Sequence, residues 1–376
     1  MGSIGRNLPR IKEVNKFLIR ENIYRNGPVS RNDVAVNLGL TLPTITTNIS
    51  NMLNDGLLRE IPVSPEKRTL GRHTMLVDYI PESRKFLGVE IRDGICRGVL
   101  ADLRGNILAS FTDERPVSGY NAALDRAARL CAVMLREKSV PVDDISSVGI
   151  CVPMIHWDGR RLGEDFAIKL CYRGPVYVQS YAVARAYGLS MFNSEQIRGV
   201  SSFAYVFVNS IIACSILTDA EKRFGTITGE GEISHNILNP DGPACEHGCR
   251  GCLEYYSGEL SILSKAKKTI VEKGLFRENG KLTMEMIMEA QAAGDREITE
   301  IIDEAIKYLG IAVHNIANVI KPQCFVIESK LFSSEENRQK IKMQTGESRI
   351  VFLDFDDLCG ARGAAAFAVK SYLESV

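Results

Sequence analysis

Along the first eighty residues apolar positions recur at helical spacing. Ile11, Val14, Phe17 and Leu18 predict a helix with these four on its inner face, stopping at the RNGP stretch of residues 25–28. Ser30 caps a second helix whose inner face is Val34, Ala35 and Leu38, and Gly39 ends it. Thr41 is the N-cap of a third, with Pro43 in its first turn and Ile45, Ile49, Met52 and Leu53 along one side; Asp55-Gly56 closes it. Two short helices joined by a glycine-containing turn, the second polar on its outer face, read as a helix-turn-helix. The β-type runs LLREIPV and HTMLVDYIP then flank the loop SPEKRTLGR, which carries Lys67, Arg68 and Arg72 and reads as a wing.

The pattern changes after residue 82. RKFLGVEIRDGICRGVLADLRGNIL alternates apolar and polar residues over two strands with a turn at Arg104-Gly105, and an amphipathic helix follows from about Asn121 to Glu137. DISSVGICVPM is a further buried strand. A comparable strand pair recurs at SFAYVFVNSIIACSILTD, followed by helices and the strand CFVIES, so the arrangement is expected twice. Two α/β lobes with a cleft between them are a common setting for a ligand.

Composition narrows the partners. The formal net charge of the 376 residues is zero, so contact with a polyanion must come from a local asymmetry. Residues 1–80 supply one: three Lys and eight Arg stand against three Asp and four Glu, a surplus of four. No segment approaches the ~20 apolar residues of a membrane span, and the expectation is a cytoplasmic protein with no membrane partner. Of the ten cysteines, Cys96, Cys131, Cys151, Cys214 and Cys324 are lone residues in apolar runs, as in a reducing compartment. Only Cys245, Cys249 and Cys252 cluster.

That cluster lies in GEISHNILNPDGPACEHGCRGCLE, residues 231–254. Zinc takes four ligands drawn from Cys and His, and the glycines of a Cys-x-(Cys/His)-Gly-x-x-Gly-Cys turn let three of them converge. Here the turn offers Cys245, His247 and Cys252, with His235 ten residues earlier and Cys249 in reserve. The stretch resembles the signature of the ROK family (repressors, open reading frames, sugar kinases), in which a histidine of GEIGH and three cysteines of CxCGxxGC(L)E hold zinc. Two departures are visible: His247 stands at the middle cysteine, and Ser234 replaces the glycine before the histidine. The front is similar to the helix-turn-helix text of ROK regulators, with Gly39, Leu40, Thr41, Pro43, Thr44, Ile45, Thr46, Leu53 and Gly56 in matching places.

The resemblance implies an α/β fold: a winged helix-turn-helix at 1–82, then a two-lobed ribonuclease-H-like domain of the actin/hexokinase type. Its first lobe would span 83–195 with a C-terminal helix at 360–376, and its second 196–359 with the zinc loop. The family's kinases carry phosphate turns at DxGGTK and GTGIG and a catalytic base in END. This chain reads Glu90-Ile91-Arg92-Asp93 at the first turn, Asn209 to Ala213 at the second, and Gln179, Ser180 and Tyr181 at the base. Tyrosine is a poor base at neutral pH, and Ile211 puts a branched side chain where a backbone must approach phosphate. The expectation is therefore no catalytic residues and no enzyme activity. The sugar side is carried over to Glu232, His235 and Glu254, with Ser180 and Tyr181 on an altered opposite wall. Met154, Ile155, His156 and Trp157 follow Pro153 where the family has a Pro-Gly-Pro loop, and Trp157 is expected to pack at a lobe edge. The function implied is a sugar-responsive repressor, homodimeric or larger, with structural zinc and with operator DNA and a carbohydrate as partners. Leu42, Thr44, Thr46, Thr47 and Asn48 would lie near bases or phosphates, and Lys67, Arg68 and Arg72 against the DNA backbone or minor groove. The alternatives are a constitutive DNA-binding protein with a ligand-free second part, and an active sugar kinase.

Overall fold

The structure is a computed structural model that describes residues 8–62, 75–92, 95–117, 119–153, 158–192, 194–209, 211–219, 225–245, 248–272, 282–346 and 348–375. In the head, α1 (Leu8–Asn26) and β1 (Val29–Ser30) precede α2 (Arg31–Leu38), α3 (Leu42–Asn54), β2 (Leu58–Pro62) and β3 (Met75–Tyr79). α2 starts where the Ser30 hydroxyl accepts from the Asp33 N–H and donates to its carboxylate, and it stops at Gly39, whose φ of 64° lies in the left-handed region. At Thr41 the cap position holds, but the hydroxyl meets that of Thr44 at 2.9 Å and caps no backbone N–H. β2 and β3 pair antiparallel from Leu58–Tyr79 to Pro62–Met75, and β1 joins β3, giving the three-stranded sheet of a winged helix. The loop between β2 and β3, with Lys67, Arg68 and Arg72, lies outside the described residues.

The inner face of α1 differs from the periodicity reading. Ile11 and Val14 are 52% and 49% exposed, whereas Ile19 and Ile23 are fully buried and Tyr24 nearly so. A 19-residue helix is about 28 Å long, more than a three-helix head can cover, so only its second half meets the core.

The chain forms two compact units, Met1–Gln179 with Gly360–Val376 and Ser180–Cys359. In the first, beyond the head, come β4 (Lys85–Arg92), β5 (Ile95–Asp102), β6 (Ile107–Asp113), α4 (Tyr120–Glu137), β7 (Ile145–Val152), α5 (Gly159–Leu170) and β8 (Val176–Ser180). Their sheet runs β6-β5-β4-β7-β8, with β4 antiparallel to β5 and parallel to β7. α4 and α5 bury Leu124, Ala127, Cys131, Leu162 and Phe166 in one core with Leu87, Val89 and Ile150 of the sheet. The C-terminal helix, named below as α12, rests directly on β4 and β7. A Cβ on Gly88 would come within 2.0 Å of the Ala361 carbonyl oxygen, and one on Gly149 within 1.9 Å of that of Ala364.

The head is fastened to this sheet. Arg104, in the β5–β6 turn, donates to the Tyr24 carbonyl, pairs with Asp78, and lies 4.7 Å from the centroid of the Tyr24 ring. The Tyr24 hydroxyl donates to the Leu103 carbonyl at 3.0 Å. Arg84 donates to the Tyr372 hydroxyl at 2.9 Å and reaches the Asp55 carbonyl, at the end of α3, at 3.4 Å.

In the second unit α6 (Tyr181–Phe192) is followed by β9 (Phe203–Val208), β10 (Ile212–Thr218), β11 (Thr226–Glu232), α7 (Leu253–Ser257), α8 (Glu259–Glu272), α9 (Met284–Ala292), α10 (Arg296–Ile320), β12 (Cys324–Glu328), α11 (Glu335–Thr345) and β13 (Ile350–Leu353). α12 (Cys359–Ser375) then belongs to the first unit from Gly360 onward. The sheet order β11-β10-β9-β12-β13 repeats that of the first: two antiparallel hairpin partners on one side of the leading strand and a parallel strand on the other. The doubling suspected from sequence is present, although α6 groups with the second unit, where the expected first lobe ran to residue 195. Ile298, Ile302, Ile306, Leu309 and Val313 of α10 pack on Val206, Phe325 and Ile327 of the sheet. Among the described residues no helix is long and apolar enough to cross a membrane.

Candidate functional site

The segment from β11 to α7 has little regular structure, and its shape is set by backbone hydrogen bonds. Leu253 N–H donates to Asn236 O, Glu254 N–H to Ser234 O at 2.7 Å, and Leu238 and Asn239 N–H both to Gly251 O. Gly251 has φ 59°, and a Cβ there would sit 1.7 Å from the Asn239 carbonyl oxygen, so only glycine fits. Ser234, the departure noted from sequence, is fully buried. Its hydroxyl accepts from Ile212 N–H at 2.9 Å and donates to Ile212 O at 3.3 Å, bonding the residue before His235 to the start of β10. No periodicity marked it; the signal was its place beside the histidine.

These constraints gather His235, Cys245, Cys249 and Cys252, whose donor atoms all lie within 4.8 Å of one another. Cys245 and Cys249 Sγ are 3.0 Å apart, and Cys249 Sγ is 3.6 Å from His235 Nδ1. Tetrahedral zinc with bonds near 2.3 Å to sulfur and 2.0 Å to nitrogen needs ligand separations of about 3.5–3.8 Å, so a small adjustment admits it. Hydrogen bonding to Cys245, then burial, pushes the Cys249 thiol up to about 12. Cys249, the reserve ligand, therefore stands in the cluster, while His247 lies outside the described residues.

The other ring nitrogen faces carboxylates. His235 Nε2 is 3.6 Å from Glu254 and 3.9 Å from Glu232, and the three form a second convergent group. One imidazole thus joins a sulfur-rich cluster to a polar, partly exposed pair of acids. Ser180 reaches the same strand, donating to Glu230 at 2.8 Å, two residues before Glu232. Tyr181 is buried, with its ring edge-on to Phe207 at 6.4 Å.

The positions compared with phosphate turns have other uses. Asn209 N–H donates to Ile211 O at 3.0 Å, closing a tight β9–β10 hairpin. Glu90 is fully buried between Arg97 at 4.0 Å and Arg92 at 3.8 Å, and a Cβ on Gly360 would approach its carboxylate to 2.6 Å. Residues 154–157 lie outside the described residues.

On α3, Leu42, Thr46 and Thr47 are exposed and Thr44 and Asn48 half-buried, whereas Ile45, Ile49 and Met52 are buried. Thr47 Oγ1 donates to Pro43 O, and Asn48 Nδ2 to Thr44 O at 2.8 Å.

A winged-helix head, two sheets of one repeated order and a Cys/His loop beside a carboxylate pair define a two-lobed α/β protein of the ribonuclease-H-like class with a DNA-binding type of module at its front. Residues 88–369 match the ROK family, and the chain belongs to it. Among its relatives, the xylose repressor of Bacillus subtilis (strain 168) is 22% identical over 337 residues, covering 86% of this chain and 84% of the other. The DNA-binding transcriptional repressor Mlc of Escherichia coli (strain K12) is 23% identical over 339 residues, covering 86% and 83%. The crystal structure of a ROK family transcriptional regulator, a homologue of the E. coli MLC protein, superposes with a TM-score of 0.77 at 20% identity, covering 97% of both chains. A ROK hexokinase from Thermus thermophilus gives 0.59 at 18% identity, covering 76% of this chain and 97% of its own.

Proposed function

We propose that this chain is a sugar-responsive, DNA-binding transcriptional repressor. The observation that carries the reading is the combination of a winged-helix head with a second unit in which His235 links a Cys245, Cys249 and Cys252 cluster to Glu232 and Glu254. The relatives of matching length bear repressor names. Two acids and an imidazole, held on a loop with fixed backbone bonds, suit the recognition of sugar hydroxyls, since such groups both accept and donate. Zinc on the thiols and His235 Nδ1 would lock the loop, and His235 Nε2 would then face the sugar in one tautomer.

In this reading the kinase chemistry is lost. Glu90 is committed to arginines, the 209–211 turn is closed on itself, and Tyr181 is buried against Phe207. Protein with Mg-ATP and a hexose and pentose panel should show no phosphoryl transfer, and Tyr181→Asp alone should not create it. Turnover at the ~1–100 s⁻¹ typical of kinases would overturn the assignment.

The head reads DNA through Leu42, Thr44, Thr46, Thr47 and Asn48, with Lys67, Arg68 and Arg72 on the wing, and a homodimer in the cytoplasm would place two heads on a two-fold operator. The effector changes operator affinity through its differential binding to two states. The decisive experiment selects duplexes from a random library with the full chain, then asks which of d-xylose, d-glucose and N-acetylglucosamine raises the melting temperature and releases the selected duplex. Enrichment without a response to any sugar would favour the constitutive alternative; no enrichment would remove the repressor reading.

A further inference from the structure

Beside the recognition helix, the head has a groove of about 470 Å³ between α1 and α3. Its walls include Lys12, Asn15 and Lys16 from α1 and Thr47, Asn48 and Asn51 from α3. Lys12 and Lys16 are one helical turn apart and exposed, and neither has an ion-pair partner among the described residues. The side chains of Asn15 and Asn51 likewise have no hydrogen-bond partner among the described residues. No carboxylate lines this groove among the described residues. A separate pocket shares Lys16, Asn48 and Asn51 and is lined also by Asp55 and by Arg20, whose guanidinium is already used on the Leu373 carbonyl at 3.4 Å.

We infer that the α1–α3 groove is a second phosphate-binding surface, in which Lys12 and Lys16 hold the DNA backbone beside the groove that α3 enters. The proposal rests on the DNA-binding reading of the head and adds α1 to it. Two cations with no internal anion to neutralise them raise the local positive potential, and a polyanion is the partner they complement. The open amides of Asn15 and Asn51 supply neutral donors to phosphate oxygens, the usual companions of lysine at such contacts. Thr47 and Asn48 are shared with the face expected at the bases, so a duplex engaged by α3 brings its backbone to the lysines. α1 thereby fixes the angle at which α3 lies on the duplex without reading any base.

The test uses the full-length protein and a labelled mixed-sequence duplex, with affinity measured between about 50 and 200 mM salt. The double variant Lys12→Ala, Lys16→Ala should bind all duplexes more weakly and flatten the plot of log K against log[salt] by nearly two, about 0.9 per lost phosphate contact. Lys16→Glu should weaken binding further. Preference among selected sequences and the melting temperature should stay unchanged, because both lysines are exposed and make no base contact. An unchanged salt slope in the double variant would overturn the α1 contact while leaving the head's DNA-binding role intact if Arg72→Ala still flattens it. Failure of the unaltered chain to bind any duplex would overturn both.

Discussion

Cys252→Ser is expected to strip zinc from the second unit and to lower its unfolding midpoint by roughly 10 °C. The argument starts from position. Cys252 is fully buried, it precedes the first turn of α7, and its donor atom lies with those of His235, Cys245 and Cys249. A metal bound only by the folded loop adds its binding free energy to folding. Losing about 4 kcal/mol of that, at about 2–4 °C per kcal/mol for a unit of this size, gives the stated shift. The loop would loosen with it, so sugar-induced stabilisation should vanish. Elemental analysis should find about one zinc per unaltered chain, as for a single four-ligand site. Cys249→Ala should lower that figure and His247→Ala should not. The reverse result would favour His247 as the fourth ligand, the set the family resemblance implies, and unchanged zinc in Cys252→Ser would remove the site.

Arg185→Ala should be the most damaging single change outside the metal loop, destabilising the second unit by about 3–5 kcal/mol. Arg185 and Glu328 are each 1% exposed, and Nη1 of the arginine lies 2.8 and 3.0 Å from the two carboxylate oxygens. The guanidinium also sits 4.2 Å from the centroid of the Phe207 ring. Tyr205 donates its hydroxyl to Glu328, and burial holds that hydroxyl far above its usual range, so it remains a donor. Removing the arginine leaves a carboxylate buried with one neutral donor, which is why breaking the pair is far worse than never having it. The double variant Arg185→Met, Glu328→Leu should recover most of the loss in chemical denaturation. A double variant as unstable as Arg185→Ala would show that the pair is required for packing rather than for charge balance.

This network was not readable beforehand. Arg185 lies in VARAYG and Glu328 in CFVIES, 143 positions apart, and neither segment signals a buried charge. Only the meeting of α6 with the end of β12 brings the two together. The Cys/His loop was far more legible, because a four-ligand cluster imposes local spacing and its glycines are needed by the backbone itself, as Gly251 against the Asn239 carbonyl shows. What spacing could not decide was whether Cys249 joins the cluster, since a one- or two-residue shift within an irregular turn depends on the hydrogen bonds that close it. Cys245 N–H donating to Cys249 O at 2.8 Å is such a bond.

The sequence by itself determined the local and the repeated: the helices of the head, the strand pairs on both sides of residue 180, and the Cys/His turn. Caps, alternation and glycine turns depend on neighbours within a few residues, so they can be read in one dimension. Tertiary structure alone decided which half of α1 is covered, how the carboxylates meet His235, and how the head is held. On local pattern the head reads as a separate module. In the fold, Arg104 is inserted beside Tyr24 and Asp78, and Arg84 connects Tyr372 of the last helix to the end of α3. Such contacts join residues hundreds of positions apart, 288 for Arg84 and Tyr372 and 353 for Arg20 and Leu373. Their partners are chosen by packing and by the need of buried polar groups for a counterpart, neither of which has a period that a sequence can display.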